Sequence, residues 1–341
     1  MTTINPKRVL ITGGREIGGV GSFADSLRQG FSELGIPVEI VPPVHIFRRW
    51  RELRDPEILK ILSTTAVFAA PFSRRAICMA HGIPRADYQG WLKLLAIIAS
   101  FKLATICAGT QLVSVSHFTA ATLRAVFDVH SDAVIHNPVK PSYLERNAEL
   151  PQERRYITYV GRLITAKNLH RMFPAIRDLL NQAPGLRACI IGEGALRSEL
   201  ELLIDGDPRF EFKGTPDDNT VRELLRQTKV FVSGNEVEGF GITYLEAMTQ
   251  GCIIAMPASG GGLEIAPDQV GGAVQLLPLS WDRAEVLATL RRALLQSWSP
   301  ICTTNFTVSS VVDSYLRVDR RFSADGRLSH PRNRVFESMA L

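Results

Sequence analysis

The sequence predicts an α/β protein built from two Rossmann-like parallel-sheet domains that face each other across a cleft. In both halves, short apolar runs alternate with helical patterns, and this alternation builds parallel sheets. Several of these runs end in glycine-bearing turns into helices, and 341 residues is the length of two ordinary domains. We place the domains at residues 1–150 and 151–320, with a loosely ordered tail over 321–341.

Composition points to a soluble globular protein whose positive charge is concentrated in the first domain. Apolar residues make up 45% of the chain and charged residues 21%. Residues 1–150 hold 17 Lys+Arg against 12 Asp+Glu, which accounts for the whole net charge of +5. Any anionic partner surface is therefore expected on this domain. Five scattered cysteines without C-x-x-C spacing favour small core residues in a reducing, cytoplasmic compartment.

The first strand, Arg8–Thr12, leads into a glycine-rich turn and a helix over about 22–34. Gly18 and Gly19 in this turn allow a phosphate to approach the backbone. The turn does not spell G-x-G-x-x-G, and the next strand, residues 37–41, lacks a terminal acidic residue, which argues against a nicotinamide cofactor. A strand followed by glycines also does not resemble a signal peptide.

Residues 45–62 combine apolar positions on one side with a surround of arginines. Such a stretch suits an anionic membrane or an anionic acceptor. The alternative is a solvated basic helix face. Residues 92–115 are apolar but interrupted by lysines, and we interpret them as a helix followed by a strand rather than a membrane span.

His81 follows a predicted strand over 77–79, and a further strand is predicted over 65–70. Because ligands of open α/β sheets bind at the carboxyl ends of strands, His81 is a candidate site residue. The alternative is an ordinary structural histidine. The first domain continues with a strand over 111–116, a helix over 117–127 and a short strand over 133–135.

The second half repeats the alternation of strands and helices. Strands are predicted over 156–160, 188–191, 210–212, 230–233, 253–256 and 273–276. Helices are predicted over 169–181, 196–204, 219–227, 242–250, 283–295 and 308–318.

The most informative stretch, residues 231–256, is read as a strand, a glycine loop, a helix and a strand. Glu238 lies in the loop, and Glu246 lies at the margin of the apolar helix face, where a partly buried carboxylate needs hydrogen-bond donors. A vicinal diol supplies two such donors. Gly241 permits a sharp turn, and the amides from Ile242 at the helix start suit phosphate. The alternative is an amphipathic helix with two solvated glutamates.

Further strand-end residues point to the same chemistry. Arg162 and Lys167 follow the first strand of the second half, where two cations can grip a diphosphate, or stand as solvated loop charges. Backbone amides at Gly261 and Gly262 can face an anion. Residues 205–207 spell D-x-D, but they follow a helix and precede a strand, so we expect no metal site there.

Taken together, the motifs resemble the retaining nucleotide-sugar glycosyltransferases of family four, which have the GT-B fold. The resemblance covers about 300 residues. Its segments are GGVGSFADSLRQGFSELG, MAHGIP, VSVSHFTAATLRAVF, VIHNPV, YVGRLITAKN, IIGEG, EGFGITYLEAMTQG and GGGLE. Their order and spacing are more specific than any single segment.

The resemblance implies a role for each candidate residue. Arg162 and Lys167 would hold the donor diphosphate and stabilise the departing nucleotide. Glu238 would hold hydroxyls of the transferred sugar, and Glu246 the ribose diol. By the same resemblance, the loop of Gly18 and Gly19 would close onto the diphosphate, Gly261 and Gly262 would contact sugar or phosphate, and His81 would lie near the reacting carbon.

The leading hypothesis is therefore metal-independent transfer of a sugar from a nucleotide-diphosphate donor, UDP- or GDP-linked, to a glycan or lipid-linked acceptor in surface-polysaccharide or lipopolysaccharide biosynthesis. The expected partners are this donor, its acceptor and the inner face of an anionic membrane, with no nucleic acid. Two alternatives remain open. One is a nucleotide-sugar epimerase, and the other is an inactive scaffold subunit of a polysaccharide-assembly complex.

Overall fold

The computed structural model describes residues 5–13, 19–86, 90–145, 151 and 153–329. The chain divides into two compact units. The first contains Met1–Lys140 together with Thr303–Leu341, and the second contains Pro141–Cys302. Within the described residues, no helix is both long and apolar enough to cross a membrane.

The first unit is built on a parallel sheet in the order β2-β1-β3-β4-β5-β6. Its strands are β1 (Arg8–Thr12), β2 (Val38–Val41), β3 (Ile58–Leu62), β4 (Ala76–Ala80), β5 (Thr110–Ser114) and β6 (Ala133–Val134). Every residue of β3, β4 and β5 is buried, as expected for central strands of a parallel sheet that is covered on both faces. Strand β4 is apolar throughout, whereas β3 and β5 also bury polar side chains, namely Lys60, Thr110, Gln111 and Ser114.

Helices and 3-10 segments connect these strands. The α-helices are α1 (Gly19–Glu33), α2 (Trp50–Arg54), α3 (Trp91–Ile106) and α4 (His117–Phe127), and the 3-10 segments are Pro43–Arg49 and Thr64–Phe72. Helix α4 begins as its sequence predicts, because the Ser116 hydroxyl accepts a hydrogen bond from the Thr119 amide at 3.0 Å.

The second unit contains a parallel sheet in the order β12-β11-β10-β7-β8-β9. Its strands are β7 (Tyr156–Val160), β8 (Arg187–Ile191), β9 (Phe210–Gly214), β10 (Thr228–Val232), β11 (Ile253–Pro257) and β12 (Val274–Leu277). Its helices are α5 (Pro141–Leu144), α6 (Leu169–Gln182), α7 (Arg197–Ile204), α8 (Asp218–Arg226), α9 (Ile242–Thr249) and α10 (Arg283–Leu295). The predicted fold class, with two Rossmann-like parallel sheets, is confirmed.

One strand prediction for the first unit is wrong, and one basic stretch is shorter than predicted. Residues 65–70 form part of a 3-10 segment rather than a strand, because Ala66, Val67, Ala69 and Ala70 are buried at a spacing of three to four residues. The basic stretch predicted over 45–62 ends at Arg54, and its last five residues form the buried strand β3. Lys60 is fully buried there, and its ammonium donates to the Arg74 carbonyl at 2.6 Å and to the Asp55 carbonyl.

The division of the chain differs from the predicted boundary at residue 320. Helix α11 (Val308–Asp319) belongs to the first unit, where it packs against α1. Its carboxyl end is fixed by a buried ion pair in which Arg75 donates to both oxygens of Asp319 at 2.8 Å. Gln111 of β5 also donates to the Val318 carbonyl at 2.9 Å. At the other boundary, α5 belongs to the second unit because Gln250 donates to the Tyr143 carbonyl at 2.8 Å.

The first residues of the tail predicted as loosely ordered, 321–329, form backbone hydrogen bonds with the first unit. The Arg75 amide donates to the Gly326 carbonyl at 2.9 Å, and the Leu328 amide donates to the Ala108 carbonyl at 2.8 Å. This stretch is therefore held along the first unit as far as Ser329. Residues 330–341 of the predicted tail lie outside the described residues.

Candidate donor site

The candidate site of the second unit lies at the carboxyl edge of its sheet, where the strand order reverses. From β7 the chain steps outward to β8 and β9, whereas β10 lies on the opposite side of β7. Such reversal points are where open α/β sheets bind ligands. Arg162 and Lys167 follow β7, and Glu238 follows β10, so topology brings the predicted cations and the first predicted glutamate to one place.

The loops after β7 and β10 are in close backbone contact. A Cβ atom on Gly234 would lie 2.5 Å from the Lys167 carbonyl oxygen, so only glycine permits this approach. Asn168 fixes the pair of loops from the other side, because its side-chain amide donates to the Gly234 carbonyl at 2.9 Å and to Glu236 at 3.0 Å. The Trp281 indole also donates to Glu236, at 2.6 Å. The loop that carries Glu238 is thus anchored to the loop that carries Lys167.

Lys167 and Glu238 form an ion pair at the centre of this arrangement. The Lys167 ammonium lies 2.9 Å from Glu238 Oε2, and the two side chains are 19% and 23% exposed. Asn235 donates a second hydrogen bond to the same oxygen at 2.7 Å. Burial alone would raise the pKa of Glu238, but the Lys167 charge, the bonds from Asn235 and Lys167, and the Gly239 amide together lower it. Glu238 is therefore an ionised acceptor of hydrogen bonds.

Helix α9 and the glycine loop after β11 meet on the ring of Tyr244. A Cβ atom on Gly241 would lie 2.6 Å from this ring, and one on Gly262 would lie 2.4 Å from it. The Tyr244 hydroxyl donates to Ser233 at 2.8 Å, which ties the helix to the end of β10. Gly241 has a φ of +85° directly before the helix, and the helix begins at Ile242, as predicted.

The Gly261 amide, predicted to face an anion, donates to the Glu238 backbone carbonyl at 2.9 Å. It positions the Glu238 loop in this structure, because its hydrogen is already directed at a carbonyl. The neighbouring Gly262 lies against the Tyr244 ring, as described above. Both glycines thus bring the 260–262 loop to the same edge as Glu238.

Glu246 lies on α9 and is only 8% exposed. Its carboxylate is close enough to Tyr143 of α5 to add to the rise in the pKa of that phenol, which burial dominates. Glu246 therefore lies near Tyr143, whereas Glu238 is paired with Lys167. The structure gives the two glutamates separate surroundings at one sheet edge.

Arg162 is exposed at the end of β7. Its backbone carbonyl accepts a hydrogen bond from the Tyr159 hydroxyl at 2.8 Å. Burial first, and then the Glu238 charge, raise the pKa of Tyr159, so this phenol lies near the ion pair and stays neutral. Tyr159 thus holds the turn of Arg162 beside Glu238.

His81 follows β4, and its ring packs edge-on against Phe23 of α1 with centroids 4.7 Å apart. Its Nε2 is buried without a hydrogen-bond partner among the described residues, and burial lowers its pKa to about 4. Gly19 begins α1, four residues before Phe23, so this glycine and His81 lie at one edge of the first sheet. Gly18 lies outside the described residues.

Metal ligands were not expected, and the D-x-D sequence has a local explanation. Asp207 accepts two hydrogen bonds from Arg209, at 2.9 and 2.6 Å, in the turn between α7 and β9. Among the residues that the structure describes, no group of three or more His, Cys, Asp or Glu side chains is placed to hold a metal ion.

A comparison with protein families identifies the family of the domain that carries this site. Residues 144–282 match the model of the family described as glycosyl transferases, group 1. The match lies within the second unit and includes Arg162, Lys167, Glu238 and Glu246. The second unit is a group 1 glycosyltransferase domain. The resemblance to glycosyltransferases is therefore confirmed for this unit, and retention of the anomeric configuration stays a prediction.

Individual relatives agree with this assignment. Sulfoquinovosyl transferase SQD2 of Arabidopsis thaliana is 28% identical over 142 residues, which are 42% of this chain and 27% of that protein. The chain spans less than half the length of the first curated relatives it matches.

Solved structures share the fold of the whole chain. Anabaena Alr3699/HepE in complex with UDP and glucose has a TM-score of 0.63 at 14% identity, covering 92% of this chain and 94% of that one. WaaG, a glycosyltransferase involved in lipopolysaccharide biosynthesis, has a TM-score of 0.66 at 13% identity, covering 94% and 97%. These similarities extend beyond the group 1 domain and establish the GT-B fold class for the chain.

Several residues that shape the group 1 domain's site were not predicted from the sequence. Asn235 lies three residues before Glu238, and this N-x-x-E spacing was the available signal for a loop amide that bonds the carboxylate. Tyr244 was hidden within an apolar helix pattern. Asn168 directly follows Lys167 and has a φ of +51°, a conformation that asparagine tolerates, so its position after the lysine was a second signal.

Proposed function

We propose that this chain transfers a sugar from a nucleotide-diphosphate donor, UDP- or GDP-linked, to a glycan or lipid-linked acceptor. The Lys167–Glu238 ion pair at the reversal point of the second sheet carries this proposal. A cation for the diphosphate and an acid for sugar hydroxyls adjoin each other there, within a group 1 domain. The UDP and glucose bound by HepE support a nucleotide-sugar donor.

The chemistry follows from the charges. When the bond between the sugar and the diphosphate breaks, negative charge develops on the departing diphosphate. The Lys167 ammonium and the exposed Arg162 guanidinium stabilise this charge, and we propose that they do so without a metal. As Lys167 turns to phosphate, Glu238 accepts hydrogen bonds from the sugar hydroxyls in its place. Glu246 accepts from the ribose diol, and the first amides of α9, from Gly241 and Ile242 onward, face phosphate.

We keep as proposals the roles that the motifs imply for His81, near the reacting carbon, and for Gly18 and Gly19, at the diphosphate. The acceptor hydroxyl attacks the anomeric carbon of the sugar on the face from which the nucleoside diphosphate leaves and passes its proton to the departing phosphate, so the anomeric configuration is retained. The involvement of WaaG in lipopolysaccharide biosynthesis supports a surface-polysaccharide or lipopolysaccharide acceptor, reached on the cytoplasmic side of a membrane.

The test is an assay of nucleotide release with UDP-, GDP- and ADP-sugars, each with and without a membrane extract that contains acceptors. We expect nucleotide release to depend on the acceptor, and Glu238→Ala to abolish it. A donor sugar that changes configuration without an acceptor would identify an epimerase. No turnover with any donor, together with nucleotide binding unaffected by Glu238→Ala, would favour a scaffold subunit.

A further inference from the structure

Three crossover segments lie along one face of the first sheet. They are Pro43–Arg54, Thr64–Phe72 and α3, which link β2 to β3, β3 to β4 and β4 to β5. Their inner side chains share one core with the sheet, and these are Ile46, Leu53, Ala66, Val67, Ala69, Ala70, Ile97, Phe101 and Ala104. Because these inner side chains fill the core, apolar residues on the outer sides of the segments do not contribute to it.

The outer sides nevertheless carry four clustered aromatic rings. Phe47, Trp50, Phe68 and Phe72 are each 39–46% exposed. The Phe47 ring lies 5.1 Å from that of Phe68 and 5.9 Å from that of Phe72, and Trp50 lies 5.2 Å from Phe72. Rings from two separate segments thus form one exposed group, and such contiguous apolar patches on a protein surface mark interaction sites.

Helix α3, which packs beside Thr64–Phe72, continues this pattern. Trp91, Leu92 and Leu95 are 73%, 86% and 59% exposed. Leu94 and Ile97 already provide the buried face of the helix. An ordinary solvated helix would have polar residues at the exposed positions, whereas here only Lys93 is charged among the first turns.

Arginines surround the rings. Arg54 lies over the Trp50 ring, 4.9 Å from its centroid. Arg48 and Arg51 are exposed, and neither forms an ion pair with another residue of the described part of the chain. Arg49, in contrast, is paired with Glu39 and Glu52. We call the four rings, Arg48, Arg51 and Arg54 the aromatic–arginine surface.

We propose that the aromatic–arginine surface, with the exposed start of α3, docks onto the anionic phospholipid surface of a membrane. Aromatic rings and leucines favour the boundary between headgroups and acyl chains, and arginines bind lipid phosphates. The excess of positive charge in residues 1–150 complements such a surface. A second copy of the chain fits less well, because an isologous contact would bring the unpaired arginines of both copies together.

This inference rests on the proposed function only in naming where the lipid-linked acceptor is met. The surface would hold the first unit at the membrane while the donor site of the second unit binds a water-soluble nucleotide sugar. Binding to lipid needs no turnover, so the two proposals can be tested independently.

The test is flotation of the full chain with vesicles of phosphatidylcholine, with and without phosphatidylglycerol. We expect binding only to the anionic vesicles. Trp50→Ser/Phe72→Ser and Arg48→Ser/Arg51→Ser should each weaken it by about tenfold or more.

Matched controls lie on the second unit. Leu202→Ser removes a side chain that is 81% exposed, and Arg291→Ser/Arg292→Ser removes two exposed arginines of α10. Both should bind vesicles like the wild type. Thermal melting of every variant shows whether it remains folded.

Absence of wild-type binding to anionic vesicles, or equal weakening by the control variants, would overturn the inference. So would a wild-type dimer that the Trp50→Ser/Phe72→Ser variant dissociates in size-exclusion chromatography, because it would assign the surface to a second copy. Nucleotide release is measured on the same preparations. Turnover without flotation removes this inference alone, and flotation without turnover removes the proposed function alone.

Discussion

Replacing Lys167 with alanine should weaken the binding of nucleoside diphosphates while leaving the fold intact. The ammonium is 19% exposed and lies 2.9 Å from Glu238, so it is placed to make a charged hydrogen bond with a phosphate. Such bonds contribute about 1.5–3 kcal/mol. At about 1.4 kcal/mol per factor of ten, the expected loss of affinity is about 10- to 150-fold.

Calorimetry with UDP, GDP and ADP measures this effect and also identifies the preferred base. Lys229→Ala is the matched control, because Lys229 of β10 is a lysine of the same unit that donates to the Gln296 carbonyl at 3.2 Å. Glu238→Gln should weaken the binding of a nucleotide sugar more than that of the nucleoside diphosphate, since this acid is assigned to the sugar. Unchanged affinity in a folded Lys167→Ala protein would remove Lys167 from the site.

The same variant has a consequence for stability against pH. The pKa of Glu238 is lower in the folded chain than its ordinary value of 4.5, so its ion pair stabilises the fold above that pH and this contribution is lost on acidification. In Lys167→Ala the main counter-charge is gone and burial dominates. The difference in unfolding free energy between wild type and variant should therefore shrink as the pH falls, beginning above 4.5, where the variant's buried Glu238 takes up its proton, and continuing below 4.5, where the wild-type ion pair is lost. A difference that is constant across this range would contradict the assignment of the ion pair.

Three further predictions concern the stability of the two units. Gly234→Ala should destabilise the protein by about 1–3 kcal/mol, because its Cβ would meet a carbonyl oxygen at 2.5 Å, whereas Gly272→Ala should be nearly neutral in denaturant unfolding. Burial lowers the pKa of His81 from 6.5 in the unfolded chain to about 4 in the folded chain, so the folded state disfavours the protonated ring. The free energy of unfolding should therefore fall by about 3 kcal/mol as the pH decreases from 6.5 to 4, and His81→Gln should lack this loss. Asp319→Ala should cost about 3–5 kcal/mol, and Asp313→Ala, an exposed position on the same helix, almost nothing.

Each of these has a contrary outcome. Equal unfolding midpoints for the two glycine variants would show that the loops relax without cost. An identical acid profile for wild type and His81→Gln would mean that this ring titrates as it does in the unfolded chain. A stable Asp319→Ala protein would show that the buried ion pair does not fix α11 to the first unit.

Local patterns predicted most of the fold because most strands contain a short apolar run and most helices have apolar residues at helical spacing. Residues 65–70 were wrongly predicted as a strand, because a short run of small apolar residues fits a strand or a helix equally well until its contacts are known. The burial of Lys60 was not predicted, because only the folded chain shows the carbonyls that accept its hydrogen bonds. The unit to which α11 belongs depends on a bond between Arg75 and a residue 244 positions away.

The candidate site was predictable to the extent that it follows strand ends. Lys167 and Glu238 were predicted to serve one donor because each follows a strand and both belong to motifs of one family, and the structure joins them because those strands are neighbours. The use of the Gly261 amide by the Glu238 carbonyl was not predictable, because it depends on how the two loops pack. The same holds for the ring of Tyr244 between two glycines.

The most direct measurement is a crystal structure of the full chain with a bound nucleoside diphosphate. The account predicts phosphate oxygens within hydrogen-bond distance of the Lys167 ammonium and ribose hydroxyls that donate to Glu246. Glu238 should then be released from Lys167 and face the position of the sugar. A nucleotide bound elsewhere, with the Lys167–Glu238 pair undisturbed, would contradict it.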